Sequence, residues 1–209
     1  MKVMVVDDEP DIVYLVSMML DLRGYEVVTA HSGSECLEKL QEELPDLVLL
    51  DLMMPIMDGW EVLDRIRADE RLKSIPVVIL TAKQLTADVV HKKAEYITEY
   101  LVKPITQEGL ISVIEDIVSA SRKLDSFVSA ARSAGVDQET IDRYVKLDRE
   151  TGTYKRLCAS LDQIYTKKPI GADAPAGHVL KSIRRLIDLR ERDLAELHAR
   201  ISDAIDLDG

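Results

Sequence analysis

An open, doubly wound α/β sheet of five parallel strands, followed by an all-α helical module, is the architecture predicted for this 209-residue chain. Three observations predict it. Short apolar runs recur through residues 1–105 and are continuous or β-branched, as parallel strands covered on both faces require. Stretches with helical spacing separate them. Beyond Pro104 the strand-length runs cease and only helical stripes remain. The predicted domains are 1–120 and 121–209.

The elements follow in order. The first strand is Val3–Val6, and Ile12, Leu15, Val16, Met19 and Leu20 form the first helical stripe, closed by Gly24. Glu26–Ala30 is the second strand, after which Ser32 with Glu35 reads as a capping box opening the second helix. Leu47–Leu50 is the third strand, and Asp58-Gly59 makes a tight turn into the third helix. Val77–Leu80 and Tyr100–Val102 are the fourth and fifth strands, with a fourth helix between them and a fifth after Pro104. Pro45, Pro55 and Pro76 stand in connections, where a missing N–H costs little.

Charge separates the two halves. The chain carries a net −11, of which residues 1–105 hold −9 and residues 106–209 only −2. Such an acidic chain does not coat nucleic acid non-specifically. No apolar run approaches the roughly 18 residues of a membrane span, and the start of the chain lacks the pattern of a signal peptide. Cys36 and Cys158 fit no disulfide or metal spacing, so a reducing, cytoplasmic setting is expected.

The strand ends carry the chemistry. Asp7 and Asp8 follow the first strand, Asp51 the third, Thr81 the fourth, and Lys103-Pro104 the fifth. All carboxyl ends of a parallel sheet share one edge, the edge where α/β ligands bind. Three carboxylates brought together there repel one another. A hard divalent cation such as Mg²⁺ relieves that, and a lysine adds a point charge for a phosphoryl oxygen. An acidic pair alone reads as a turn, an Asp as a helix cap, and a Lys-Pro as a loop. Five such positions in one place share no bland explanation; together they are the parts of a phosphoryl-transfer site.

VVDDEP at 5–10, DLMMPIMDG at 51–59, TA at 81–82 and YLVKP at 100–104 resemble the receiver domain of two-component response regulators, a flavodoxin-like fold, over about half the chain. The resemblance implies that Asp51 is the phosphoacceptor and that Mg²⁺ sits on Asp7, Asp8, Asp51 and the backbone carbonyl of Met53. It further implies that Thr81 and Lys103 engage the phosphoryl group, that Thr81 and Tyr100 form the conformational switch, and that Lys103–Pro104 is a cis bond. A sensor histidine kinase would be the phosphoryl donor. The protein would not be an enzyme beyond its own phosphoryl transfer and dephosphorylation. Three departures stand out. Met53 and Lys83 flank the expected route of the hydrolytic water, and residues 94–99 hold no glycine where the family commonly has a Gly-Ala turn.

In the second half, Leu110, Ile114, Ile117, Leu124, Val128 and Ala131 extend the fifth helix well past the sheet domain. Gly135 closes it and Asp137 caps the next, which carries Ile141, Tyr144, Leu147, Tyr154, Leu157, Leu161 and Ile164, with Thr151-Gly152 as a possible break. After a loop at 167–177, the last helix repeats Leu180, Ile187, Leu194 and Ile201 every seven residues, with Ile183, Arg190, Leu197 and Ala204 on the second seam. Such stripes must pack together or form a homodimer or protein complex. DNA binding through Lys181, Arg184, Arg185, Arg190 and Arg192 is the alternative output, although Asp188, Glu191 and Asp193 interleave with them. His178-Val-Leu-Lys181 faintly resembles the motif of histidine phosphotransfer proteins, which would make the chain a phosphorelay intermediate. His31, His91 and His198 read as surface residues.

Overall fold

The computed structural model describes residues 1–82, 96–166 and 175–207. Its elements are β1 (Lys2–Val6), α1 (Pro10–Asp21), β2 (Glu26–Ala30), α2 (Gly33–Glu42), β3 (Leu47–Asp51), α3 (Gly59–Ala68), β4 (Val77–Thr81), β5 (Glu99–Val102), α4 (Gln107–Ser133), α5 (Gln138–Thr166) and α6 (Pro175–Leu207). The helix counted fifth in the sequence is therefore α4. The expected fourth helix, Lys83 and His91 lie outside the described residues, as does the side chain of His178. The chain divides into two compact units between Ile111 and Ser112, within α4.

In the first unit the five strands are all parallel in the order β2-β1-β3-β4-β5, as the predicted fold class requires. The chain order reverses between β1 and β3, which opens a crevice at their carboxyl ends. β3 and β4 are buried along their whole length, which explains their unbroken Val, Ile and Leu runs. On α1 the buried residues are Val13, Val16 and Leu20. Leu15, placed on the core stripe by the sequence, is 40% exposed. Val16 and Leu20 are buried as the expected stripe requires, and Val13 takes the inward place expected of Leu15.

Caps set the helix starts. The Ser32 hydroxyl accepts from the Glu35 N–H at 3.2 Å, and the Glu35 carboxylate accepts from the His31 N–H at 2.7 Å, one residue earlier than a standard capping box. Asp58 caps α3 by accepting from the Glu61 N–H at 2.9 Å. Where glycine is missing before β5, the Thr98 N–H donates to the Val77 carbonyl at 2.8 Å and its hydroxyl accepts from the Val77 N–H at 3.1 Å. Arg67 adds a bond from its Nε to the Tyr96 carbonyl, also at 2.8 Å.

The second unit is helical. Gly135, at φ 72°, ends α4 in the left-handed region, and Asp137 caps α5 through the Thr140 N–H at 2.9 Å. α5 runs unbroken through Thr151-Gly152, contrary to the expected break. The Thr151 hydroxyl donates to the Leu147 carbonyl at 2.6 Å, so the threonine is satisfied inside the helix. Leu124 and Ala131 of α4, Ile141 and Tyr144 of α5, and Leu197 and Ile201 of α6 form one core, in which each leucine and isoleucine is worth about 1.5–3 kcal/mol if fully buried. Phe127 stacks on His198 at 4.5 Å and tilts against Tyr144 at 4.8 Å. Arg190, on the α6 seam, pairs with Glu150 and lies 5.3 Å from the Tyr154 ring. Among the described residues no helix is long and apolar enough to cross a membrane.

Candidate functional site

The carboxyl edge of the sheet gathers the residues that the sequence marks. β1 delivers Asp7 and Asp8, β3 ends on Asp51, β4 ends on Thr81, and Lys103 follows β5. Backbone bonds fix the loops that carry them. The Asp7 N–H donates to the Ala30 carbonyl at 3.1 Å, and the Lys103 N–H donates to the Thr81 carbonyl at 2.9 Å. The Lys103–Pro104 bond is cis.

Lys103 joins the strands electrostatically. Its ammonium donates to Asp7 Oδ2 at 2.6 Å and lies 2.9 Å from Asp51 Oδ1. Both carboxylates are buried, Asp7 fully and Asp51 to 3% exposure. Burial pushes the Asp7 carboxyl above its ordinary range, and the Lys103 ammonium offsets only part of that. Burial alone would lower the Lys103 pKa, but the hydrogen bonds and charges of Asp7 and Asp51 prevail and raise it. The ammonium therefore stays charged at physiological pH. The other Asp51 oxygen accepts from the Met53 N–H at 2.5 Å, so the nucleophile candidate is held from both sides.

Asp7, Asp8 and Asp51 each place one carboxylate oxygen within 4.8 Å of the others. Clustered hard oxygen donors of this kind suit Mg²⁺. Thr81 is fully buried and pairs in register with Val102, while Tyr100 is 4% exposed. Met53 is 60% exposed on the rim.

Two neighbours of the site were not read as such in the sequence. Gly59, taken only as a turn residue, is pressed against the phosphoacceptor candidate: a Cβ there would lie 2.2 Å from the Asp51 carbonyl oxygen. Glu9 brings a further carboxylate to 3.7 Å from the Lys103 ammonium. Its position directly after the acidic pair was the available signal. His31 and His198 are exposed, as expected.

The sequence profile of the response regulator receiver domain matches residues 3–115. Protein PilH of Pseudomonas aeruginosa is 31% identical over 118 residues, which cover 56% of this chain and 98% of PilH. The DNA-binding dual master transcriptional regulator RpaA of Synechocystis is 33% identical over 135 residues, 65% of this chain and 55% of its own length. This chain thus spans about half of that relative. The structure of the Vibrio cholerae chemotaxis protein CheY4 is similar with a TM-score of 0.52 and 36% identity, covering 55% of this chain and 96% of that one.

Proposed function

Since the chain belongs to the response regulator receiver family, we propose that Asp51 accepts a phosphoryl group from a partner histidine kinase and that the helical unit carries the output. One observation supports this above the rest: Lys103 bridges Asp7 and Asp51 beside Asp8, at the strand ends where the crevice opens. Asp51 Oδ attacks phosphorus in line; the new O–P bond forms as the N–P bond of the donor phosphohistidine breaks, and the leaving imidazole takes up a proton. Lys103 turns from its two carboxylates toward the phosphoryl oxygens, and the Thr81 hydroxyl donates to them. Mg²⁺, held by Asp7, Asp8, Asp51 and the Met53 carbonyl, would supply charge neutralisation for the transferring group. Tyr100 and Thr81 then report occupancy to the face beside β5. The chain catalyses nothing beyond its own phosphorylation and dephosphorylation and works in the cytoplasm.

A docking surface for the donor lies on α1, which starts just past Asp8. Tyr14, Met18 and Leu22 recur at four-residue spacing and are 72%, 43% and 70% exposed. An apolar stripe left in water on a helix suits a protein partner.

A protein-mediated output is favoured over DNA. Arg190 is committed to Glu150 on α5, and Glu191, interleaved with the basic positions of α6, pairs with Lys155 of α5, so the basic cluster of α6 is tied in part into the bundle.

Incubation with acetyl phosphate and Mg²⁺, followed by intact-mass measurement, tests the central claim. Wild type should gain one phosphoryl group and Asp51→Ala none, with the gain abolished by a chelator. Equal labelling of the alanine variant would refute the assignment of Asp51.

A further inference from the structure

We propose that the outer groove between α4 and α5 is a self-complementary interface that receives the same groove of a second copy of this chain. The inference rests on, and deepens, the reading of the helical unit as the output module.

The groove measures about 340 Å³, and all nine described residues lining it come from α4 and α5. Its floor is apolar, with the half-buried Val128 and Val145 at the centre. Four exposed charged residues form its rims: Asp125 and Arg132 on α4, Asp142 and Arg149 on α5. Each rim pair is seven residues apart, two helical turns on the same face. The short connection 134–137 reverses the chain, so the two helices run antiparallel. One end of the groove therefore carries Asp125 with Arg149, and the other carries Arg132 with Asp142.

This is a two-by-two checkerboard of sign. A two-fold axis in the plane of the groove and along the helices sets Asp125 against Arg149 of the second copy, and Arg132 against Asp142 of the second copy. An axis across the helices sets Asp125 against Arg132 of the second copy, and Asp142 against Arg149 of the second copy. Both arrangements pair every charge with its opposite, as an isologous interface requires. A uniformly acidic or basic partner would meet two like charges in either orientation, which disfavours it. Stacking the grooves also covers the remaining exposed surface of the two central valines, which are half-buried against the helical core.

The checkerboard supplies its own test in the full-length protein. Asp125→Arg with Asp142→Arg makes all four rim positions positive, and Arg132→Glu with Arg149→Glu makes all four negative. Sedimentation or light scattering should show a wild-type dimer, with self-association weakened about 100-fold or more in each double variant. Mixing the two variants should restore a one-to-one heterodimer. Circular dichroism guards against misfolding, since all four residues are exposed. A wild-type monomer, with and without beryllofluoride and Mg²⁺, would overturn the proposal, as would a dimer that survives in both double variants. A monomer that still takes up a phosphoryl group at Asp51 refutes this interface alone. A dimer that takes up none refutes the receiver reading and leaves the interface standing.

Discussion

The sheet edge and the helical bundle both bury charge, but to different ends. At the edge, Asp7 and Asp51 are almost inaccessible and share one ammonium. Taking carboxylates out of water costs several kcal/mol per ion in general, and the arrangement persists only because each has partners. In the bundle the half-buried charges include Asp148 and the pair Arg190–Glu150, and the Arg190 Nε is buried without a hydrogen-bond partner. The bundle otherwise relies on apolar side chains and on the Phe127, Tyr144 and His198 rings. Dense buried charge marks the region where chemistry is expected. A sparsely charged, aromatic-centred core marks the region proposed to carry the output through its surfaces.

Mutations can break or sharpen that contrast. The largest effect on stability is expected in the bundle, where Ile201→Ala empties a site that is 2% exposed. It should cost about 2–5 kcal/mol in urea unfolding of the helical signal. Next comes Gly59→Ala in the sheet unit. Its new Cβ would collide with backbone at 2.2 Å, and backbone cannot swing aside as a side chain does. A loss of about 1–3 kcal/mol is expected, together with slower phosphoryl uptake at Asp51. Gly152→Ala should have the opposite sign. There the nearest atom to a Cβ is the movable Arg156 guanidinium at 3.2 Å, and the position is helical. A gain of about 0.5–1 kcal/mol should appear as a higher melting temperature.

The smallest effect is one of pH. Burial raises the Asp148 carboxyl above its ordinary value, against the pull of Arg149, Arg156, Lys155 and His198. With a folded pKa above the unfolded one, its penalty is complete above the raised value and is relieved as pH falls through that value toward 3.8. Asp137 runs the other way. The hydrogen bonds of Thr140 hold it low, so its stabilising contribution is present above 3.8 and lost on further acidification. Melting curves of Asp148→Asn between neutral pH and pH 4 should lack the component that rises on mild acidification; a curve parallel to wild type would contradict that account.

The same contrast explains what could be read in the chain beforehand. The strand ends were legible because Asp7, Asp51, Thr81 and Lys103 directly follow apolar runs, so that one local boundary locates both the strand and the candidate chemistry. Gly59 was missed as a neighbour of Asp51 because eight positions separate them and only the returning loop brings them together. The edge of the α1 stripe was misplaced because Val13 and Leu15 are both apolar, and burial alone distinguishes them. The break expected at Thr151-Gly152 failed for a related reason. Propensity disfavours both residues in a helix, but Thr151 is satisfied by Leu147 and tertiary packing outweighs a cost of about 1 kcal/mol. In the bundle, heptads announced which residues turn inward, yet His198 reads as an ordinary surface histidine until its ring is found lying on Phe127.

The Lys103 bridge has a consequence in formal charge. Asp7, Asp8 and Asp51 with the Lys103 ammonium carry a formal charge of two negatives, the complement of a divalent ion, while Glu9 at 3.7 Å from Lys103 adds a further negative charge at the rim. With such an ion bound those four residues would be neutral together. Esterifying Asp51 removes one negative charge and adds about two with the phosphate, so the ledger moves by a single unit. On the proposed reading, a site balanced in this way would hold either state without large repulsion, and the choice between them would fall to the kinase and to hydrolysis. It would then behave as a register with two addressable values, written and erased by kinetics.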